Sequence, residues 1–325
     1  EQLVETYDRL APGDDFHQAN HLLFALIYGD SLAQRDARVA LDTVQPTSLR
    51  RGVVRRILSR ADLLPYRETT ERRIRASPER GFADAWRLVE ALKYRGKVRA
   101  ALEVLSSDPI LLPAHRAESF YALYRMGVFL PAAELEHALT VADADTAIDR
   151  ALMRALVSGA YAADRRRWAE HQRAVAIARA QAERAHAAAD SVTERVALGV
   201  AGALEAYGSW RRGRPDEALP TLQRAQQEAV GHAARTVLNE HLRWWLAELN
   251  AELGRPQEAI RYLDTLEDDP FFRYRLGALY EELGETEKAR AHYAYALTAW
   301  AEADPDFAPA RQARAALTRL GSDRP

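Results

Sequence analysis

Cysteine is absent from this 325-residue chain. Disulfides, thiol catalysis and cysteine-ligated metal are thereby excluded. No apolar run reaches the roughly eighteen residues that a membrane-spanning helix requires, so this segment inserts into no bilayer. Charge of one sign is missing too: 45 Lys and Arg stand against 47 Asp and Glu, a formal net charge of −2. Such a balance gives no global pull toward nucleic acid or an anionic membrane. The alternating β-branched pattern of strands is almost absent, and the chain reads as all-α. Its 16 glycines and 14 prolines are scattered, and no low-complexity linker marks a domain boundary.

Motifs that carry chemistry are scarce as well. There is no phosphate-cradling loop with its lysine, no dinucleotide fingerprint after a strand and no nucleophile elbow. His17 and His21 stand one helical turn apart behind Asp14 and Asp15, the one spacing with metal-ligand character. A structural zinc site wants four ligands, so no metal and no cofactor is expected. Glu281-Glu282 reads as a solvated face, and Glu267-Asp268-Asp269 as a turn, in preference to catalytic carboxylates. Lysine is rare: only Lys93, Lys97 and Lys288 occur, and arginine supplies the remaining cations.

What the chain does have is a recurring helix start. Gly213-Arg214-Pro215-Asp216-Glu217-Ala218 is followed by Gly254-Arg255-Pro256-Gln257-Glu258-Ala259 and then by Gly284-Glu285-Thr286-Glu287-Lys288-Ala289. Recurrence of this kind marks a helical-repeat array. In the last copy Leu276, Gly277 and Tyr280 precede the glycine turn, while Ala289, Tyr293, Ala296 and Leu297 stripe the following helix. Small residues let two antiparallel helices approach, and the tyrosines fill the space between them.

This pattern resembles the tetratricopeptide repeat. Trp244, Trp245, Leu246, Ala247, Gly254, Ala259 and Leu263 make a second copy, and Ala206, Gly213, Ala218, Leu222 and Ala225 a third. Asn250 and Ser209 replace the tyrosine that the motif places on its first helix. The turn glycines are 41 and then 30 residues apart, against about 34 for the family. A further copy runs through Ala85, Trp86, Leu88, Val89, Leu92, Gly96, Ala101 and Leu105, opened by Ser77-Pro78-Glu79 and closed by Asp108-Pro109. Other helical pairs are expected around Ala19 to Val44, Ala117 to Leu139 and Ala147 to Arg184.

The resulting expectation is an all-α superhelical solenoid of antiparallel hairpins over residues 1–325, with degenerate repeats in 1–190. Clearer repeats and a capping helix from Arg311 to Leu320 are expected in 191–325. The stretch from Ala163 to Ala189 has neither Gly nor Pro and predicts one long helix. Asp190 interrupts it, and Ser191-Val192-Thr193-Glu194 has the form of a capping box.

Tetratricopeptide arrays line a concave groove with the first helix of each hairpin. Carried onto the matching copies, this places Trp86, Lys93, Tyr94, Tyr207, Trp210, Arg211, His241, Trp244, Phe271 and Tyr274 as candidate binding residues. Aromatic and arginine side chains of this kind dominate interface energies. Trp86 and Trp244 fit the core equally well, beside apolar neighbours. Trp210→Ala is expected to weaken partner binding by about 1–3 kcal/mol and to cost the fold little.

Two arginine clusters also stand out. Arg51, Arg55, Arg56 and Arg60 flank the apolar stripe Val53, Val54, Ile57 and Leu58, and read as solvated flanks. Arg165-Arg166-Arg167 precedes Trp168, but the acidic residues elsewhere argue against a long basic track and a nucleic-acid partner.

The turn Asp304-Pro305-Asp306-Phe307 after Ala299-Trp300 resembles the C-terminal end of the repeat regions in bacterial eukaryotic-like serine/threonine kinases. That resemblance implies a sensor or scaffold of a signalling or assembly system, since no kinase element is present. The chain starts at Glu1, as a processed protein or excised segment would, which leaves the compartment open. The expected function is non-catalytic recognition of a protein or peptide in the groove. A small-molecule sensor and a nucleic-acid-binding regulator are the alternatives.

Overall fold

The computed structural model describes residues 22, 25, 26, 29–43, 82–128, 130, 132–140, 147–229, 236–266 and 269–322. Among these, fourteen helices and no strand occur. They are α1 (Ser31–Thr43), α2 (Phe82–Tyr94), α3 (Val98–Ser107), α4 (Pro113–Arg125), α5 (Ala132–Thr140), α6 (Ile148–Asp164) and α7 (Trp168–Ala187). The series continues with α8 (Ser191–Arg211), α9 (Pro215–Ala229), α10 (Thr236–Glu252), α11 (Pro256–Asp264), α12 (Pro270–Glu282), α13 (Thr286–Ala299) and α14 (Ala308–Ser322).

From α2 onward consecutive helices pack as antiparallel pairs: α2/α3, α4/α5, α6/α7, α8/α9, α10/α11 and α12/α13, with α14 closing the last. The first helices also pack side by side, α2 on α4, α4 on α6 and α6 on α8. This is the solenoid that the sequence predicts, and α14 contains the expected capping segment.

One turn geometry recurs throughout. After α2 the amide of Lys97 reaches back to the carbonyl of Leu92 at 2.9 Å, with Gly96 between them at φ 67°. That is the left-handed C-terminal cap in which one residue with positive φ lets the last carbonyls be satisfied. Gly213, Gly254 and Gly284 take the same role with φ of 81°, 68° and 73°. Each separates the two helices of a hairpin, as predicted.

Two further caps have no glycine. Arg166 has φ 59° and Ala189 φ 55°, and the amides of Arg167 and Asp190 complete the same bond pattern at 2.8 and 2.9 Å. The predicted single helix from Ala163 to Ala189 is therefore corrected: α6 stops at Asp164 and α7 starts at Trp168. Packing of α6 against α7 imposes the turn, although a side chain at positive φ costs about 1–2 kcal/mol. The next start is shifted by one residue from expectation. Asp190 is the cap of α8, its carboxylate accepting from the Thr193 amide at 3.0 Å.

Small residues set the helix spacing. At Gly277 an added Cβ would lie 2.8 Å from the ring of Tyr293, so α12 and α13 close only around a glycine. Ala289, Ala296 and Leu276 are fully buried beside it. No helix among the described residues is long and apolar enough to cross a membrane.

Candidate functional site

The ten predicted groove residues all fall on first helices or at their ends, but most are not open to solvent. Lys93, Tyr207, Trp210, His241, Trp244 and Phe271 are buried, and Trp86, Tyr94 and Tyr274 are half-buried. Only Arg211 is exposed. The expectation that Trp210→Ala costs the fold little is corrected: Trp210 is 4% exposed, and Tyr207 beside it is 0% exposed. The physical reason is packing among the first helices: Tyr207 meets Trp245 of α10 and Arg125 of α4, and Trp210 bonds Glu252 of α10.

Arg125, at the end of α4, joins three of these helices. Its guanidinium pairs with Glu248 of α10 and donates to the hydroxyl of Tyr207 of α8. It also lies 5.2 Å from the centre of the Trp244 ring. Tyr207 in turn donates to Asp164 at 2.9 Å, the same carboxylate that Arg211 holds at 2.7 Å. Burial pushes the Tyr207 phenol well above its ordinary value and Tyr121 up to about 12, so both stay protonated donors.

A second polar group sits beside the first. Glu118 of α4 lies 3.4 Å from Nε2 of His241 on α10, and both are buried. Burial alone would raise the Glu118 carboxyl, yet Lys93, His241 and His115 reverse that and hold it near 2. Lys93 bonds Glu90 at 2.8 Å and remains charged despite burial, because Glu90, Glu118 and Asp269 surround it. Around this group run aromatic contacts: Tyr121 with His241 at 5.5 Å, Tyr207 with Trp245 at 4.4 Å, and Trp244 with Phe271 at 5.2 Å.

Arg275 on α12 was missed by the sequence reading. It stands one residue after Tyr274, and burial together with the charge of Arg125 lowers its pKa from the ordinary arginine value. No acidic side chain among the described residues pairs with it. The signal available was its register in the run Phe271-Phe272-Arg273-Tyr274-Arg275, which a single arginine among many does not betray.

Away from the centre, α5, α6 and α7 enclose a cavity of about 290 Å³. Arg154, Ser158, Tyr161, Glu170 and Arg173 are the polar side chains on its wall. Arg154 is buried there, and Tyr161 donates to Glu136 at 2.8 Å.

The remaining clusters resolve into structural roles where they are described. In the basic run Arg166 forms the turn and Arg167 pairs with Glu136, while Arg212 from the end of α8 covers the Trp168 ring at 3.9 Å. Glu281 accepts from Tyr293 at 2.9 Å and pairs with Arg319 at 2.6 Å. Asp269 caps α12 by accepting from the Phe271 amide at 2.7 Å. His17, His21, Asp14, Asp15, the arginines from Arg51 to Arg60, Glu267 and Asp268 lie outside the described residues.

Residues 273–302 match the tetratricopeptide repeat family, a segment that spans most of α12, all of α13 and the turn after it. The match coincides with the hairpin closed by Gly277, Tyr293 and Ala296. No curated protein and no solved structure matches the chain.

Proposed function

We propose that this chain is a non-catalytic recognition module that binds a protein or peptide segment through the inner face of its first helices. The observation that carries the reading is the tetratricopeptide match at 273–302 within a continuous series of like-built hairpins. Repeat arrays of this kind present extended surfaces and carry function as binding, with no dedicated reaction centre. One array over 1–325, acting as the sensor or scaffold of a bacterial signalling or assembly system, is the form the reading takes.

The chemistry of the face suggests the partner. Trp244, Phe271 and Tyr274 offer large aromatic rings, and Arg275 offers a guanidinium that pairs with no acidic side chain among the described residues. A segment that brings an aromatic side chain and a carboxylate satisfies both, because a charge-assisted bond to arginine is the stronger kind. A displayed-peptide library selected on the purified chain should enrich such segments. Their saturable binding by calorimetry should fall about tenfold or more in Arg275→Ala at unchanged helicity. Failure to select any saturable peptide would refute the reading.

A second reading rests on the cavity between α5, α6 and α7. At about 290 Å³ it approaches the lower size of small-molecule sites. A small carboxylate that raises the melting temperature of the chain, and no longer does so in Arg154→Met, would favour sensing over scaffolding.

A further inference from the structure

The closed form has one seam that joins residues far apart in sequence, and most of its ion pairs run one way, with Glu118 of α4 facing His241 of α10 as the exception. On one side stand Lys93, Arg95, Lys97 and Arg99 of the α2/α3 hairpin, with Arg125 of α4. On the other stand Glu248 of α10, Asp269 at the start of α12, and Glu302, Asp304 and Asp306 of the turn before α14. Glu302 pairs with Arg95 and, at 2.8 Å, with Lys97. Asp306 pairs with Arg99 at 2.9 Å, and Asp304 accepts from the Arg99 amide at 2.8 Å. The Asp304 amide donates to the carbonyl of Gly96 at 3.0 Å. Phe307 lies so close that a Cβ on Gly96 would stand 2.7 Å from its ring.

Contacts between successive hairpins are of another kind. Their centres are aliphatic and aromatic, as where Tyr207 meets Trp245, with polar pairs such as Arg167–Glu136 and Arg211–Asp164 beside them. Parting those exposes hydrocarbon to water at about 25 cal/mol per Å². Parting the seam gives its ion pairs back to water, which offsets much of their Coulomb loss, and it also uncovers the rings that meet there, Tyr121 against His241, Trp244 under Arg125 and Phe307 against Gly96. The outer pairs are weak in themselves, since the Arg99 and Asp306 side chains are 70% and 66% exposed. Repeat hairpins depend on their neighbours, so each side keeps its own packing when the seam opens.

We propose that the array opens and closes along this seam, with the Gly96 and Asp304 turns as its clasp, and that opening uncovers the inner aromatic face. The inference rests on the recognition reading: a partner reaches Trp244, Phe271 and Arg275 only through the open form. The clasp thereby sets how much of the protein is competent to bind.

The absence of cysteine makes a direct test available. Glu103→Cys on α3 and Arg314→Cys on α14, both exposed and outside the seam, accept spin labels whose separation is read by pulsed electron resonance. With the seam intact one narrow short distance should dominate at low salt. Its long component should grow as salt screens the exposed pairs. In Glu302→Lys with Asp306→Arg the open-to-closed ratio should rise about tenfold or more at unchanged far-UV helicity. Adding Lys97→Glu and Arg99→Glu to that chain should return the short distance. Binding of an apolar fluorescent dye should follow the open fraction.

A distance that stays short in the reversed variant, or opening without added dye binding, overturns the proposal. If the reversed variant loses helicity, the salt series on the labelled but otherwise unaltered chain decides, and a salt-independent short distance overturns it. The measurement uses no partner. A chain that opens but selects no peptide refutes the recognition reading and leaves the seam intact. One that binds peptide while both labels stay close refutes the seam.

Discussion

The indole Nε1 of Trp210 donates to Oε2 of Glu252 at 2.7 Å, tying the end of α8 to the end of α10. The ring beside that bond is buried and meets Tyr207 edge-on at 5.3 Å. Trp210 is therefore part of what holds two successive hairpins together. Trp210→Ala should cost about 3–5 kcal/mol of stability, the usual range for truncating a buried aromatic ring. Trp210→Phe should lose about 1 kcal/mol for the missing hydrogen bond, in addition to the lost area. Urea denaturation followed by far-UV dichroism measures both, and an alanine variant as stable as the parent would show that the ring is not needed for packing.

Arg166 and Ala189 hold turns that glycine holds elsewhere in the array. Removing the Cβ relieves the left-handed strain, while glycine gains entropy in the unfolded chain, so the two effects partly cancel. Arg166→Gly and Ala189→Gly should each stabilise by about 0.5–1 kcal/mol. A thermal midpoint that falls in both variants would refute the shared turn geometry.

Arg125 is buried among Glu248, Tyr207 and Trp244. Arg125→Met leaves the Glu248 carboxylate without its cation, a loss of about 3–5 kcal/mol. Adding Glu248→Gln keeps an acceptor for the Trp244 indole, bonded at 2.7 Å, and removes the stranded charge. Most of the stability should return in the double variant. A double-mutant cycle shows whether the two losses are coupled. Simple additivity would mean that the pair is not a unit.

His292 on α13 is half-buried and stacks on Tyr280 at 5.2 Å. Burial first, then the charges of Arg273 and Lys288, push its pKa down from 6.5 to about 4. A histidine lowered in the folded state favours the unfolded chain once protons bind. Its penalty is absent above pH 6.5, grows as pH falls through that window, and is complete below about 4. The urea midpoint should drop over that range, and His292→Gln should flatten the drop. An unchanged pH profile in that variant would assign the titration to another group.

The sequence by itself determined the local architecture. Gly96, Gly213, Gly254 and Gly284 marked hairpin turns because positive φ is cheap only without a Cβ. Gly277, Ala289 and Ala296 marked close helix contacts, and the capping helix was expected from the resemblance of the C-terminal end to known repeat regions. These are short-range constraints, written within a few residues of where they act. Only the tertiary structure decided what faces the inner surface. Helical periodicity tells that Tyr207, Trp210 and Trp244 share an apolar side, but not whether solvent or another helix lies opposite. The turn at Arg166 was hidden for the same reason, since packing of α6 on α7 outweighs the preference of its own residue. The pairing of Lys97 with Glu302 belongs to this second class: two charges 205 positions apart meet only because the curvature of many hairpins adds up to closure.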